Sequence, residues 1–186
     1  MRTWRTSPGG WLNSAAGGHL ILIGLPGSGK STVGRAVSAA LGWPFVDLDA
    51  EIVAREGRSI ASIFASAGEP RFRELEREAT IRLRDARPSV VAPGGGWVTS
   101  PETVAIVCPP ARMTYLKVSP ETAFRRIRRT VRLRPLLRRD PLDALRHLLE
   151  GRRAAYEGAD LVVDTETIDM QDVTQRIVAL VKAPLP

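Results

Sequence analysis

The sequence predicts an α/β fold, a three-layer α-β-α sandwich around a five-stranded parallel sheet. Three observations predict it. Short apolar runs alternate with segments of helical period along most of the chain. The runs are continuously apolar instead of alternating with polar residues, as strands covered on both faces require. The first run ends in a glycine-rich turn that opens a helix, the junction at which open parallel sheets place their ligands.

The elements follow in order. HLILIG (19–24) reads as a short buried strand closing on glycine. Residues 31–41 read as a helix with Val33, Val37 and Leu41 on one face. PFVDLD (44–49) reads as a second strand with acids at its end. SIASIFASAG (59–68) is a helix closed by a glycine C-cap, and 71–86 is a long charged helix. SVVAPGGG (89–96) is a third strand running into a glycine turn, and MTYLKV (113–118) is a fourth. An arginine-studded helix spans 120–129 and another spans 141–155. DLVVDT (160–165) is the fifth strand, and 170–182 is a terminal helix. Residues 128–142, with two prolines, several arginines and weak periodicity, are expected to form a mobile lid. Residues 1–18 are expected to form a flexible tail ahead of a single domain over 19–186.

Composition excludes several function classes. Hydrophobic residues are 44% and charged residues 25% of the 186, which rules out global disorder. The longest clean aliphatic run, Leu20–Ile23, is far short of the ~20 residues of a membrane span, so no membrane partner is expected. The single cysteine, Cys108, cannot form an internal disulfide, which fits a reducing, cytoplasmic setting. The first 19 residues lack the apolar core of a secretory signal. The net charge of +7 is not spread evenly. Residues 125–153 hold eleven arginines against Asp140, Asp143 and Glu150, while the remainder is close to neutral. Such a segment asks for an anionic partner. Only Phe124 and Tyr156 bring aromatic rings near it, so a nucleic-acid stacking surface is not expected.

Gly24-Leu25-Pro26-Gly27-Ser28-Gly29-Lys30-Ser31 fits G-x-x-x-x-G-K-[ST] between a strand and a helix, the context that gives this motif meaning. Its glycines let the backbone fold around an anion, and the helix N-terminus adds its positive dipole end. Lys30 can neutralise the outer phosphates of a nucleoside triphosphate, and Ser31 can ligate Mg²⁺. Asp47 and Asp49 follow the second strand, and strand alternation would put both on one side, at the ligand edge of the sheet. One acid can support the Mg²⁺ shell and the other can orient or deprotonate an acceptor hydroxyl. The plainer reading makes the pair a cap for a helix over 50–56. The triplet Gly94-Gly95-Gly96 would let a ligand sit directly against the backbone. Planar guanidinium groups suit capture of a carboxylate or phosphate, but with 24 arginines no physical rule picks out particular ones.

Together these residues resemble a family. From about His19 to Val181 the chain is similar to shikimate kinase, a P-loop NTPase of the nucleoside monophosphate kinase-like type. The matching words are GLPGSGKSTVGRAVSAALGWPFVDLDAEI, GRSIASIFASAGEPRFRELE, APGGG, RPLL and RRAAY with ADLVVDT. The resemblance implies transfer of the γ-phosphoryl group of ATP, with Mg²⁺, to the 3-hydroxyl of shikimate by a monomer. It implies that Gly27, Ser28, Gly29, Lys30, Ser31 and Thr32 hold ATP, that Arg126 packs on adenine opposite residues 165–168, and that Arg134 closes on the phosphates. It implies that Asp49 is the general base, that Asp47 and Ser31 serve the metal, and that Arg73, Glu76, Gly95, Gly96 and Arg152 form the acceptor pocket. Lys30, Asp49 and Arg134 are thus the catalytic set. Departures from the family pattern fall at Pro93, Trp97, Ala154 and Ala155, and the gap from Tyr156 to Asp160 is one residue short, which makes Arg153 a rival to Arg152. These changes are expected to touch the acceptor pocket, so another small hydroxylated acid such as gluconate stays open as acceptor, and a nucleic-acid-binding ATPase stands further off.

Overall fold

The computed structural model describes residues 18–129 and 140–183. Its strands are β1 (Leu20–Ile23), β2 (Phe45–Asp47), β3 (Val90–Ala92), β4 (Arg112–Lys117) and β5 (Leu161–Asp164). They pair in the order β2-β3-β1-β4-β5, every pair parallel. The order reverses direction at β1, so the turn after β1 opens at a topological switch point.

Helices α1 (Lys30–Leu41), α2 (Leu48–Glu56), α3 (Ile60–Arg84), α4 (Pro101–Val104), α5 (Pro120–Ile127), α6 (Pro141–Glu157) and α7 (Met170–Lys182) cover the sheet. The period of two in β1 divides the core. Leu20 and Leu22 pack with Val33 and Val37 of α1 and Val173, Ile177 and Val181 of α7. Ile21 and Ile23 face the other layer, with α2, α3, α5 and α6. All four β1 side chains are buried, which explains the unbroken apolar run.

The second strand is shorter than its sequence implies. It ends at Asp47, and α2 begins at Leu48. Asp47 accepts the Ala50 N–H at 3.2 Å, and a carboxylate in that position starts a helix more effectively than it prolongs a strand. Asp49 and Glu51 then sit in the first turn, where the helix dipole favours them. Asp49 therefore stands on a helix, and the strand alternation expected to align it with Asp47 does not apply.

The two helices expected at 59–68 and 71–86 run on as α3, with Gly68 at φ 75° and ψ 177° breaking the helical path between them. A 3-10 turn (Trp97–Thr99) and α4 went unread in the sequence. Their signal was present: Ser100 caps α4 by accepting the Thr103 N–H, with Pro101 at the first helical position. The tail before Gly18 and the lid residues 130–139, Arg134 among them, lie outside the described residues.

Candidate active site

The turn after β1 is shaped for an anion. Gly27 and Gly29 adopt φ of 89° and 96°, conformations that side chains rarely take. Gly29 ends the turn as the N-cap of α1, so the turn and the helix N-terminus face the same space. Lys30 Nζ donates to the Gly24 and Leu25 carbonyls at 2.9 and 3.1 Å, which holds its ammonium over the loop. Ser31 Oγ donates to Asp47 Oδ2 at 3.2 Å, so the hydroxyl at the start of α1 and the acid at the end of β2 form one oxygen pair.

A cleft of about 330 Å³ opens here, lined by Gly27, Lys30, Ser31, Asp47, Asp49 and Gly95 among others. A second cavity of about 340 Å³ lies beyond the loop, lined by Ser28, Thr32, Arg126, Thr165 and Ile168 among others. Gly29 and Thr32 border both. Arg126 donates to the Thr165 hydroxyl at 3.2 Å and to its carbonyl at 2.7 Å, which fixes the guanidinium beside the loop after β5. Of the expected nucleotide-holding residues, only Arg134 falls outside the described residues.

The glycine triplet forms the other wall. Each glycine meets a different ionic side chain, as a Cβ placed on it would reveal. On Gly94 it would lie 2.8 Å from Glu76 Oε1 and 2.9 Å from Asp49 Oδ1. On Gly95 it would lie 3.0 Å from Arg152 Nη1, and on Gly96 2.5 Å from Arg73 Nη2. Asp49 lines the cleft itself, whereas Arg73, Glu76 and Arg152 stand one step back against the turn. Arg73 is held by Glu76 and by Glu69, the latter at 2.6 and 3.1 Å.

Glu76 is almost fully buried, and its Oε1 has no hydrogen-bond partner. Burial pushes its pKa up, Arg73 pulls it down, Asp49 pushes it up and Arg152 pulls it down. Two carboxylates and two guanidinium groups thus interlock around three glycines.

The structure places Arg152 and Arg153 differently. Arg152 is buried at 8% exposure beside Gly95, whereas Arg153 is exposed. One turn on, the buried Tyr156 stacks on Tyr115 at 4.9 Å and donates its hydroxyl to the Gly95 carbonyl at 3.2 Å. Tyr156 was legible as a site residue only through its helical spacing from Arg152. Gly94 lines the cleft with Gly95, as the reading of the whole triplet expects, although the resemblance implied only Gly95 and Gly96.

Of the four departures expected to touch the acceptor pocket, only Pro93 lines the cleft. Trp97 is turned into the core at 2% exposure, Ala154 is exposed, and Ala155 packs against the core. Burial pushes the Cys108 thiol up to about 12, helped by Asp160. Among the described residues no three His, Cys, Asp or Glu side chains cluster as a metal-holding group, and no helix is long and apolar enough to cross a membrane.

Comparison with known proteins gives a consistent picture. The shikimate kinase family model matches residues 26–182. A shikimate kinase from Caulobacter vibrioides is 43% identical over 166 residues, covering 88% of this chain and 82% of its own length. One from Moorella thermoacetica is 40% identical over 167 residues, covering 89% of this chain and 95% of its own. Among solved structures, shikimate kinase from Acinetobacter baumannii in complex with shikimate matches with a TM-score of 0.80 and 33% identity, over 89% of this chain and 93% of that one.

Proposed function

The chain belongs to the shikimate kinase family, an ATP-dependent phosphotransferase family, and on that premise we propose the division of labour among its residues. One observation carries it: the phosphate loop and Asp49 line a single cleft. Donor and acceptor can therefore meet without either leaving its seat.

Gly27, Ser28, Gly29, Lys30, Ser31 and Thr32 hold the ATP phosphates, with the base in the second cavity, which Arg126, Thr165 and Ile168 line. Arg73 and Arg152 hold the shikimate carboxylate, braced by Glu76 and by the bare backbone of Gly95 and Gly96. Asp49 orients the 3-hydroxyl and takes its proton. The hydroxyl oxygen bonds to the γ-phosphorus as the bond to the β–γ bridging oxygen breaks, giving shikimate 3-phosphate and ADP. Holding both reactants in line removes much of the entropic barrier, and the Lys30 ammonium stabilises the charge that shifts between oxygens.

The Ser31–Asp47 pair suits Mg²⁺, since two hard oxygen donors at the phosphate end leave the remaining positions to phosphate and water. When bound, the ion neutralises charge on the phosphate oxygens. A cytoplasmic monomer fits the single cysteine and a site built from one chain.

The test is a coupled ADP-release assay with shikimate, with gluconate and with no acceptor. Shikimate is expected to stimulate turnover strongly and gluconate not at all. Stimulation by gluconate alone would move the acceptor assignment to that acid.

A further inference from the structure

A turn of three glycines has no side chains with which to hold itself. The first side chain after it belongs to Trp97, among the largest fully buried in the molecule. Its indole N–H donates to Thr80 Oγ1 at 2.9 Å, and the Thr80 hydroxyl donates to the Glu76 carbonyl at 2.7 Å. Thr80 is 0% exposed, so both bonds form out of reach of water.

Arg73, Glu76 and Thr80 lie at i, i+3 and i+7 of α3 and so share one face. The glycine turn lies along that face. Gly96 is close enough to the Arg73 guanidinium, and Gly94 to the Glu76 carboxylate, that neither position has room for a Cβ. From the opposite side Tyr156 of α6 donates to the Gly95 carbonyl at 3.2 Å. The turn is therefore tethered to both helices that carry the acceptor-facing arginines. The α3 tether is the indole of Trp97.

We infer that Trp97 is a positioning residue for the acceptor half of the site: its N–H, relayed through Thr80, sets the height of Gly96 beneath the Arg73 guanidinium. This rests on the reading that Arg73 grips the acceptor carboxylate. The indole is buried away from the cleft, so it acts on the acceptor only through the turn. Gly95 adjoins Pro26 of the phosphate loop, but that loop takes part in none of these bonds, so their loss is expected to fall on the acceptor and not on the nucleotide.

The experiment measures steady-state ADP release with shikimate varied at saturating ATP, and with ATP varied at saturating shikimate. The proteins are the wild type, Trp97→Phe, Thr80→Val and Thr80→Ser, each with a thermal melt. Trp97→Phe keeps an aromatic ring and drops the N–H. Thr80→Val drops the hydroxyl, and Thr80→Ser keeps it. Trp97→Phe and Thr80→Val are expected to raise the KM for shikimate roughly fivefold, the effect of one buried hydrogen bond, with the KM for ATP unchanged. Thr80→Ser is expected to stay near the wild type. Should Trp97→Phe fold poorly, the Val and Ser variants at Thr80 decide the matter by themselves. An unchanged shikimate KM in folded variants overturns the inference. So does an equal rise in both KM values, or a Ser variant as damaged as the Val variant. A wild type without shikimate-dependent turnover overturns the functional reading and this inference together, whereas an active wild type with insensitive variants overturns only the inference.

Discussion

At the phosphate-holding end of the cleft, the consecutive residues Gly24–Ser31 make the cradle, and at the acceptor end side chains arrive from α2, α3 and α6 around the turn after β3. The first is a backbone device whose shape is set by three glycines at positive φ, Gly24, Gly27 and Gly29. The second is a charge device in which Asp49, Glu76, Arg73 and Arg152 balance one another around bare glycine. A change in the first should act through geometry, and a change in the second through charge and hydrogen bonding.

The largest expected break is Asp49→Asn. The amide keeps the shape and loses the capacity to take a proton. Turnover should fall by on the order of 10²- to 10⁴-fold, the usual contribution of a positioned base, with the KM for ATP nearly unchanged. Equal loss of turnover and of ATP affinity would remove the base role.

A paired substitution sharpens the contrast. In Gly27→Ala the new Cβ would meet the Ala123 carbonyl oxygen at 2.6 Å in a left-handed backbone, so the cradle must shift. In Gly96→Ala it would meet Arg73 Nη2 at 2.5 Å, and the flexible guanidinium must give way. The first should raise the KM for ATP by roughly tenfold or more and the second the KM for shikimate by a similar factor, each sparing the other substrate. Kinetics that moved both constants in both variants would show that the two halves are one device. On the acceptor side, Arg152→Ala should weaken shikimate by roughly tenfold or more, the worth of one charged hydrogen bond, and the exposed Arg153→Ala should change nothing.

The same contrast explains what was legible in the sequence. Gly24–Ser31 could be read because its chemistry is contiguous, and the five-stranded parallel sheet followed from alternating strands and helices, although the strand order did not. The acceptor half could not be read from physics alone. Nothing in the spacing joins Arg73 to Gly96 or Arg152 to Gly95, because those meetings depend on how α3 and α6 pack around the turn. Only resemblance pointed to those arginines. Asp49 was found by its place near the phosphate loop but was put on a strand, since an Asp that caps a helix and an Asp that ends a strand look alike in sequence. Trp97 read as a pocket departure because position along the chain does not reveal that its indole turns inward to Thr80.

The smallest expected effect tests where the two halves are joined. His19 precedes β1, the strand that leads into the cradle, and its Nε2 bonds to the Leu83 carbonyl at 2.7 Å near the end of α3, the helix of Arg73 and Glu76. It is buried at 1% exposure. Burial lowers its pKa below the ordinary 6.5, and the Leu83 and Ser89 carbonyls oppose this only in part. The folded protein thus keeps His19 neutral at a pH where the unfolded chain already takes up a proton. Its contribution to stability is complete above about pH 6.5 and is lost as the pH falls toward the lowered value. Glu76, with a raised pKa, acts in the opposite direction over its own range, which makes the difference between proteins more informative than either melt alone. Thermal melts at pH 7.5 and 5.5 should show a fall in the wild type that shrinks in His19→Gln, by roughly 2–4 °C for each kcal/mol the buried imidazole contributes. Identical falls in the two proteins would mean that the seam between cradle strand and acceptor helix does not sense protons through His19.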